Sequence, residues 1–544
     1  MSIELGLLQK AEILTLPFRK VNFPDAEKFL NHVGKNGFPD ASESPNFAYA
    51  KFGRDGEKYA FDSLKYHPER AIPVILGLAQ TQGVKVNPTT EEEPGKIIHE
   101  YRTYSEDLPQ RSKDIFNKLN PIWGDGENQM KYYGSTDATP LFISLVNAYC
   151  RRMKNANILD ERVIQSNGQE KTIRECVEQA AQWLEDRIIN GPRVNSDERA
   201  EPHPGNRLKL LEFKRMNEEG LYNQNWKDSD TSLIHKNGTS ANHEMPIATI
   251  DLQGYAYDGL IDAADLLWTT DPQTSIRRRK LAWEVRDTTF KNFWIEDKNY
   301  FAVALDRDSN GNYRKITTVE SNPAEILNTG IFDGLSETEK QLYVGSIVKK
   351  IYSNDFLTEA GVRSRSVEES GLLNFCDYHG SYAVWAKNTS EIAKGLERQG
   401  FPRLANQLKL RVINSVRTAG SFYELFYISP DGKVIYNPKR KKTPEDKNLS
   451  KILAPAFPEE MQTWTGSAVN EFEEELNHGY TYISRPNTWE DNLDNSLLNM
   501  LPQTPLITDE STALKKRLHA PSFYIDTTLG RQLELEFKTN SSSK

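Results

Sequence analysis

The sequence lacks the features that mark several large classes of protein. It has three cysteines in 544 residues, Cys150, Cys176 and Cys376, far apart and with no CxxC pair. That excludes a disulfide framework and a thiolate zinc site, and fits a reducing compartment. There is no apolar run of 18 residues, and Met1 to Lys10 lacks a basic stretch followed by an unbroken apolar one. The reading is a cytoplasmic protein with no membrane partner. Basic blocks are also short: Lys439-Arg-Lys-Lys442 is a loop feature, and 68 Lys+Arg against 77 Asp+Glu leave a charge of −9. Nucleic acid is not an expected partner.

Cofactor and metal signals are missing too. No GxxxxGK[ST] phosphate loop occurs, and His99-Glu100 and His243-Glu244 lack the second histidine of an HExxH zinc motif. Asp306-Arg-Asp-Ser-Asn-Gly311 imitates the start of a calcium loop, but Thr317 stands where the bidentate glutamate belongs. That run reads as a turn, and no metal or cofactor is expected.

What is present is bulk and periodicity. Nine tryptophans, 23 tyrosines and 37% hydrophobic residues can fill a core and still line a concave surface. The length allows two to four domains or one large helical or barrel enzyme. No Pro/Gly/Ser hinge divides the chain, so residues 1–480 read as one catalytic domain. Residues 481–544 read as an appendage with short strands and a frayed tail.

Helix dominates: Leu141, Leu145 and Tyr149 recur at helical spacing, as do Leu404, Leu408, Val412 and Val416. From Ile247 to Trp268, Asp258, Asp262 and Asp265 fall on one face, which predicts a helix with a solvated side. Gly400 followed by Pro402 predicts a helical hairpin over 388–417. Strand pairs are expected at 299–306 with 313–319, within 421–437, and near 522–537.

The stretch Gly220-Leu-Tyr-Asn-Gln-Asn-Trp-Lys-Asp-Ser229 has the makings of a sugar site. Trp226 offers a face to a pyranose, Lys227 and the amides offer donors, and a carboxyl at Asp228 buried against the aromatic would hold its proton. Asp228 would equally serve as a helix N-cap. Lys227 would lower the Asp228 pKa while burial would raise it. Glu424 lies in a strand-like alternation that would turn it to solvent, Arg54-Asp55 would suit a surface ion pair, and Trp385 alone would suit a core.

Nine segments in order resemble the amylo-α-1,6-glucosidase family, the glucosidase part of glycogen debranching enzymes, and more distantly the glucoamylases. They are FGRD (52–55), EPGKIIHEYR (93–102), YYGSTDATPLF (132–142), GLYNQNWKDS (220–229), PIATIDLQGYAYDG (246–259), SNPAEILNTGI (321–331), YHGS (378–381), YELF (423–426) and QTWTGSA (462–468). The resemblance implies a mainly α fold, an (α/α)6 toroid of the six-hairpin glycosidase type with a few short β-hairpins. It implies an inverting glycoside hydrolase that releases terminal α-linked glucose, with Asp228 as general acid and Glu424 as general base. Arg54, Asp55, Tyr133, Asp137, Trp226, Lys227, His379 and Trp385 follow as substrate-binding residues, and an oligosaccharide or small α-glucoside as the substrate. A hydrolase of a disaccharide or compatible solute, a glycoside phosphorylase and a silent sugar-binding protein are the alternatives. The sequence departs from the family in three places. The loop after Asp228 is shortened, which makes Asp230 a second candidate acid; Phe422-Tyr423 replaces Leu-Pro before the base; and Ala324-Glu325 stands where Gly-His is common.

Overall fold

The computed structural model describes residues 25–501 except 36, 45, 125, 127, 201–206, 373–376, 430, 436–457 and 479–487. Its α-helices are α1 (Ala26–Val33), α2 (Gly53–Ser63), α3 (Ala71–Gln80), α4 (Gln110–Trp123), α5 (Ala138–Met153), α6 (Ile173–Asn190) and α7 (Ile250–Leu266). They continue as α8 (Pro272–Phe293), α9 (Asn322–Glu325), α10 (Glu337–Ile351), α11 (Ala386–Arg398), α12 (Pro402–Ala419), α13 (Thr463–Asn477) and α14 (Trp489–Met500).

Six of these close a ring: α2 packs on α5, α5 on α7, α7 on α9, α9 on α11, α11 on α13, and α13 back on α2. Each ring helix has an outer partner, α3 on α2, α6 on α5, α8 on α7, α10 on α9, α12 on α11 and α1 on α13. This is the expected (α/α)6 toroid. Local sequence explains its punctuation. Capping boxes at Thr172/Glu175 and Ser336/Glu339 start the outer helices α6 and α10. Between α11 and α12 the chain turns at Gly400, whose φ is 91°, and restarts on Pro402. Inner helices must approach closely, and Gly254 of α7 shows why glycine is tolerated there: a Cβ would lie 2.8 Å from Ile326.

The aspartate face of α7 differs from expectation. Asp258 accepts from the Gly330 N–H at 2.8 Å, Asp262 from Asn147 at 2.5 Å, and Asp265 pairs with Arg151 at 2.5 Å and with Arg279. These carboxylates are half-buried against neighbouring elements because α7 belongs to the inner ring. Burial pushes Asp258 up to about 8 and Asp262 up to about 6.

Short antiparallel sheets cap the ring. β1 (Ala50–Phe52), β2 (Glu100–Thr103) and β3 (Gln129–Tyr132) form one, and β4 (Arg162–Ile164) with β5 (Glu170–Thr172) another. β6 (Ala248–Thr249) joins β9 (Ala304–Arg307) and β10 (Tyr313–Ile316), while β7 (Trp294–Ile295) pairs with β8 (Tyr300–Phe301). The hairpin expected at 299–306 with 313–319 is thus shorter: Ile316 faces Ala304 and Tyr313 faces Arg307, whereas Tyr300-Phe301 turns to β7. Asp308 closes its turn by accepting from the Asn310 and Asn312 N–H groups, and Asp306 is engaged by Arg314 and His235. The calcium-like run is a turn. β11 (Ala383–Trp385), β12 (Leu425–Ile428) and β13 (Val434–Ile435) supply the pair expected within 421–437. Strands expected near 522–537 and the tail lie outside the described residues; of 481–544, only 488–501 are described, with α14 packed on α10 and α12. Among the described residues no helix is long and apolar enough to cross a membrane, and no group of three or more His, Cys, Asp or Glu is placed to hold a metal ion.

β1, β6 and β11 each run directly into a ring helix, α2, α7 and α11 respectively. The N-terminal ends of the inner helices and the loops before them therefore gather at one end of the toroid, where distant segments meet.

Candidate active site

Arg54 is the hub of that end. It sits in the first turn of α2 because Gly53 lets the chain pass Ile98: a Cβ on Gly53 would lie 2.1 Å from that carbonyl oxygen. The buried guanidinium donates to Asp137 at 3.0 Å, to the Asn225 carbonyl at 3.0 Å and to Asp228 at 3.1 Å, and its Nε lies 3.9 Å from Asp55. One cation thus faces three carboxylates. Burial pushes Asp55 up to about 6 against the pull of Arg54. Burial likewise raises Asp228, again opposed by Arg54 and reinforced by Asp137.

The loop carrying Asp228 precedes no helix it could cap, since the next helix is α7 at Ile250. Asp230 is exposed. The three consecutive residues 226–228 enter three surroundings. Trp226 is buried in a cluster with Trp385, Trp464, Leu425 and Tyr427. Lys227 turns away from Asp228: its ammonium, fully buried, donates to Glu320 at 2.7 Å and to the Ser364 carbonyl at 2.6 Å. The cation acting on Asp228 is therefore Arg54, and Lys227 serves the loop's underside. There Glu320 also accepts from Arg365 at 2.6 Å, and Arg365 reaches Asp377 at 2.5 Å and the Thr231 and Ser232 carbonyls.

His379 fastens the same loop from the side. Its Nδ1 is 2.7 Å from the Ser229 hydroxyl, its ring stacks on Trp385 at 4.7 Å, and its Nε2 has no partner. Burial drives its pKa well below the ordinary value, so the ring is neutral. Trp385 is buried, as a core residue would be, yet it walls the pocket described below.

Glu424 enters from just before β12 and is 5% exposed, not turned to solvent. Its N–H donates to the Glu459 carbonyl at 2.9 Å, and the Tyr378 hydroxyl bonds its carboxyl. Burial, with the charges of Glu459 and Asp228, pushes Glu424 up to about 8 although Tyr378 and the Glu459 N–H favour the ionised form. Asp228 is thus close enough to be felt electrostatically at Glu424.

A pocket opens beside Arg54, walled by Trp226, Trp385 and Trp464 and floored by Lys58, Tyr255, Glu325, Lys387, Asn388 and Glu391. Of the residues expected from sequence, Arg54, Asp55, Asp137, Trp226, Asp228, His379, Trp385 and Glu424 come together. Tyr133 does not join them. It lies in the main hydrophobic core, with its hydroxyl donated to the Thr81 carbonyl at 2.8 Å. The floor residues, Trp464 and Tyr378 were not anticipated. Lys58 was accessible as the i+4 neighbour of Arg54 on one helix face, and Tyr378 and Trp464 lie within YHGS and QTWTGSA.

No protein-family model matches the chain, and no curated protein matches it. Solved structures do. The GH63 mannosylglycerate hydrolase from Thermus thermophilus in complex with glucose is 12% identical, covers 82% of this chain and 98% of its own, and superposes with a TM-score of 0.51. An uncharacterized conserved protein from the same organism is 11% identical, covers 84% of this chain and 100% of its own, with a TM-score of 0.51. The likeness is one of fold: this chain has the (α/α)6 fold found in glycoside hydrolases.

Proposed function

We propose that the chain is an inverting glycoside hydrolase that releases a terminal α-linked glucose, in the manner of the amylo-α-1,6-glucosidases. The observation that carries this reading is the convergence of two carboxyls from distant loops, the half-buried Asp228 and the buried Glu424, beside an aromatic-walled pocket, with the charge of Asp228 contributing to the raised pKa of Glu424. The α-1,6 linkage rests on the nine collinear segments. The fold shared with an enzyme solved with glucose bound supports the broader class.

In this reading the terminal sugar stacks against the tryptophans and Asp228 gives its proton to the glycosidic oxygen. Burial raises Asp228 and so favours its protonated form, against the pull of the Arg54 cation. Glu424 takes a proton from the water that attacks the opposite face of the ring, so the anomeric centre inverts. The working state has Asp228 protonated and Glu424 ionised.

The test is glucose release by the purified chain from a panel of α-1,6-, α-1,4- and small α-glucosides, with limit dextrin included. Release from α-1,6-linked substrates is expected. Silence on every member would refute the hydrolase reading, and release from small glucosides alone would refute the debranching one.

A further inference from the structure

The pocket floor has a chemistry of its own, which the acid and base do not use. Its fixed charges stand in ion pairs, although Glu391 Oε1 and Arg54 Nε make no hydrogen bond. Lys58 lies 2.8 Å from one Glu391 oxygen, and Lys387 lies 2.9 Å from the other and 2.7 Å from Asp62. Glu325 accepts from the Tyr255 hydroxyl at 2.7 Å and from the Asn388 amide. The neutral polar atoms are not matched. The indole N–H groups of Trp226 and Trp464 and the Oδ1 of Asn388 are buried without a hydrogen-bond partner. Because Glu325 holds the NH2 end of Asn388, the carbonyl end is the one left free.

Two unpaired donors and one unpaired acceptor, all uncharged, complement hydroxyl groups, which both donate and accept. A carboxylate on the sugar would be stripped of water among Asp55, Asp228, Glu325 and Glu391, and every cation at the pocket already faces a carboxylate of the protein. Glu325 is also a point at which this chain departs from the Gly-His of the family it resembles. Burial pushes its carboxyl up to about 7. The departure therefore adds a group that orients an amide rather than a further fixed charge aimed at the ligand.

We propose that Asn388, with its amide fixed by Glu325, is a specificity-determining residue: its Oδ1 accepts from a hydroxyl of the terminal hexose, while the carboxylates around it exclude hexoses bearing a carboxylate. Asn388 touches the sugar, and Glu325 is a positioning residue acting through it. This rests on the glycosidase reading and deepens it.

Calorimetric binding of D-glucose, D-glucosamine, 6-amino-6-deoxy-D-glucose and D-glucuronate to the full chain tests it without turnover. Wild-type protein is expected to bind glucose at least tenfold tighter than D-glucuronate. Asn388→Ala is expected to weaken glucose about tenfold, as loss of one buried hydrogen-bond partner does. Asn388→Asp is expected to raise the affinity of an amino sugar relative to glucose, a reversal that a merely structural role would not produce. Wild-type affinity for D-glucuronate within threefold of that for glucose would overturn the proposal, and this arm needs no variant to fold. So would an Asn388→Ala affinity for glucose within twofold of wild type. If either result accompanied full hydrolytic activity, this inference alone would fall; if no sugar bound and no glucoside were cleaved, the glycosidase reading would fall with it.

Discussion

Two charged clusters flank Trp226, and they are built on opposite plans. In front, Arg54 alone faces Asp55, Asp137 and Asp228. Behind, Lys227 and Arg365 face Glu320 and Asp377, two against two, with spare donors taken up by carbonyls of Ser364, Thr231 and Ser232. The balanced cluster locks the loop. The unbalanced one cannot ionise all its carboxyls cheaply, and there Asp228 is raised, chiefly by burial and further by Asp137. Neighbouring residues of one loop thus separate scaffold from chemistry by the ratio of charges each one meets.

The comparison can be broken most sharply at Asp228. Asp228→Asn is expected to cost 10²–10⁴-fold in kcat on an α-glucoside while leaving thermal unfolding nearly unchanged, as measured by steady-state kinetics and calorimetry. A loss below about tenfold would be too small for a general acid. Lys227→Met should do the reverse: with Glu320 left short of a partner, chemical denaturation should show a loss of about 3–5 kcal/mol, with activity per folded molecule retained. The pH profile comes next. With Glu424 at about 8 as the upper of the two titrating groups, kcat/KM should fall about tenfold from pH 7 to pH 9, and Glu424→Gln should abolish the activity. The smallest effect concerns stability. A carboxyl raised from 4.5 to about 8 on folding stabilises the native state fully below about 4.5 and loses that contribution as pH rises towards 8. Glu424→Gln should therefore raise Tm by about 1–2 °C at pH 8 and leave it unchanged at pH 4.

Sequence periodicity was enough for the helices, because Leu404, Leu408, Val412 and Val416 of α12 repeat the spacing of a buried face and all are buried. It misjudged the aspartates of α7, since a polar stripe reads as solvated whether it meets water or the side chains of α5 and α8. Adjacency along the chain also misled at Lys227: it follows Trp226 and precedes Asp228, yet its ammonium points to Glu320. Tyr133 lies next to β3 in a motif shared with Asp137, and only packing shows that its ring belongs to the core. Asn388 and Glu391 were invisible because polar residues in a helical pattern look like an exposed face. In a closed ring, the inner helices have no such face.

The central claim is that Asp228 and Glu424 act on opposite sides of one sugar ring. Nuclear magnetic resonance of the first-formed product from an α-glucoside, recorded before mutarotation, tests it most directly. The account predicts β-glucose, and α-glucose as the initial product would contradict it.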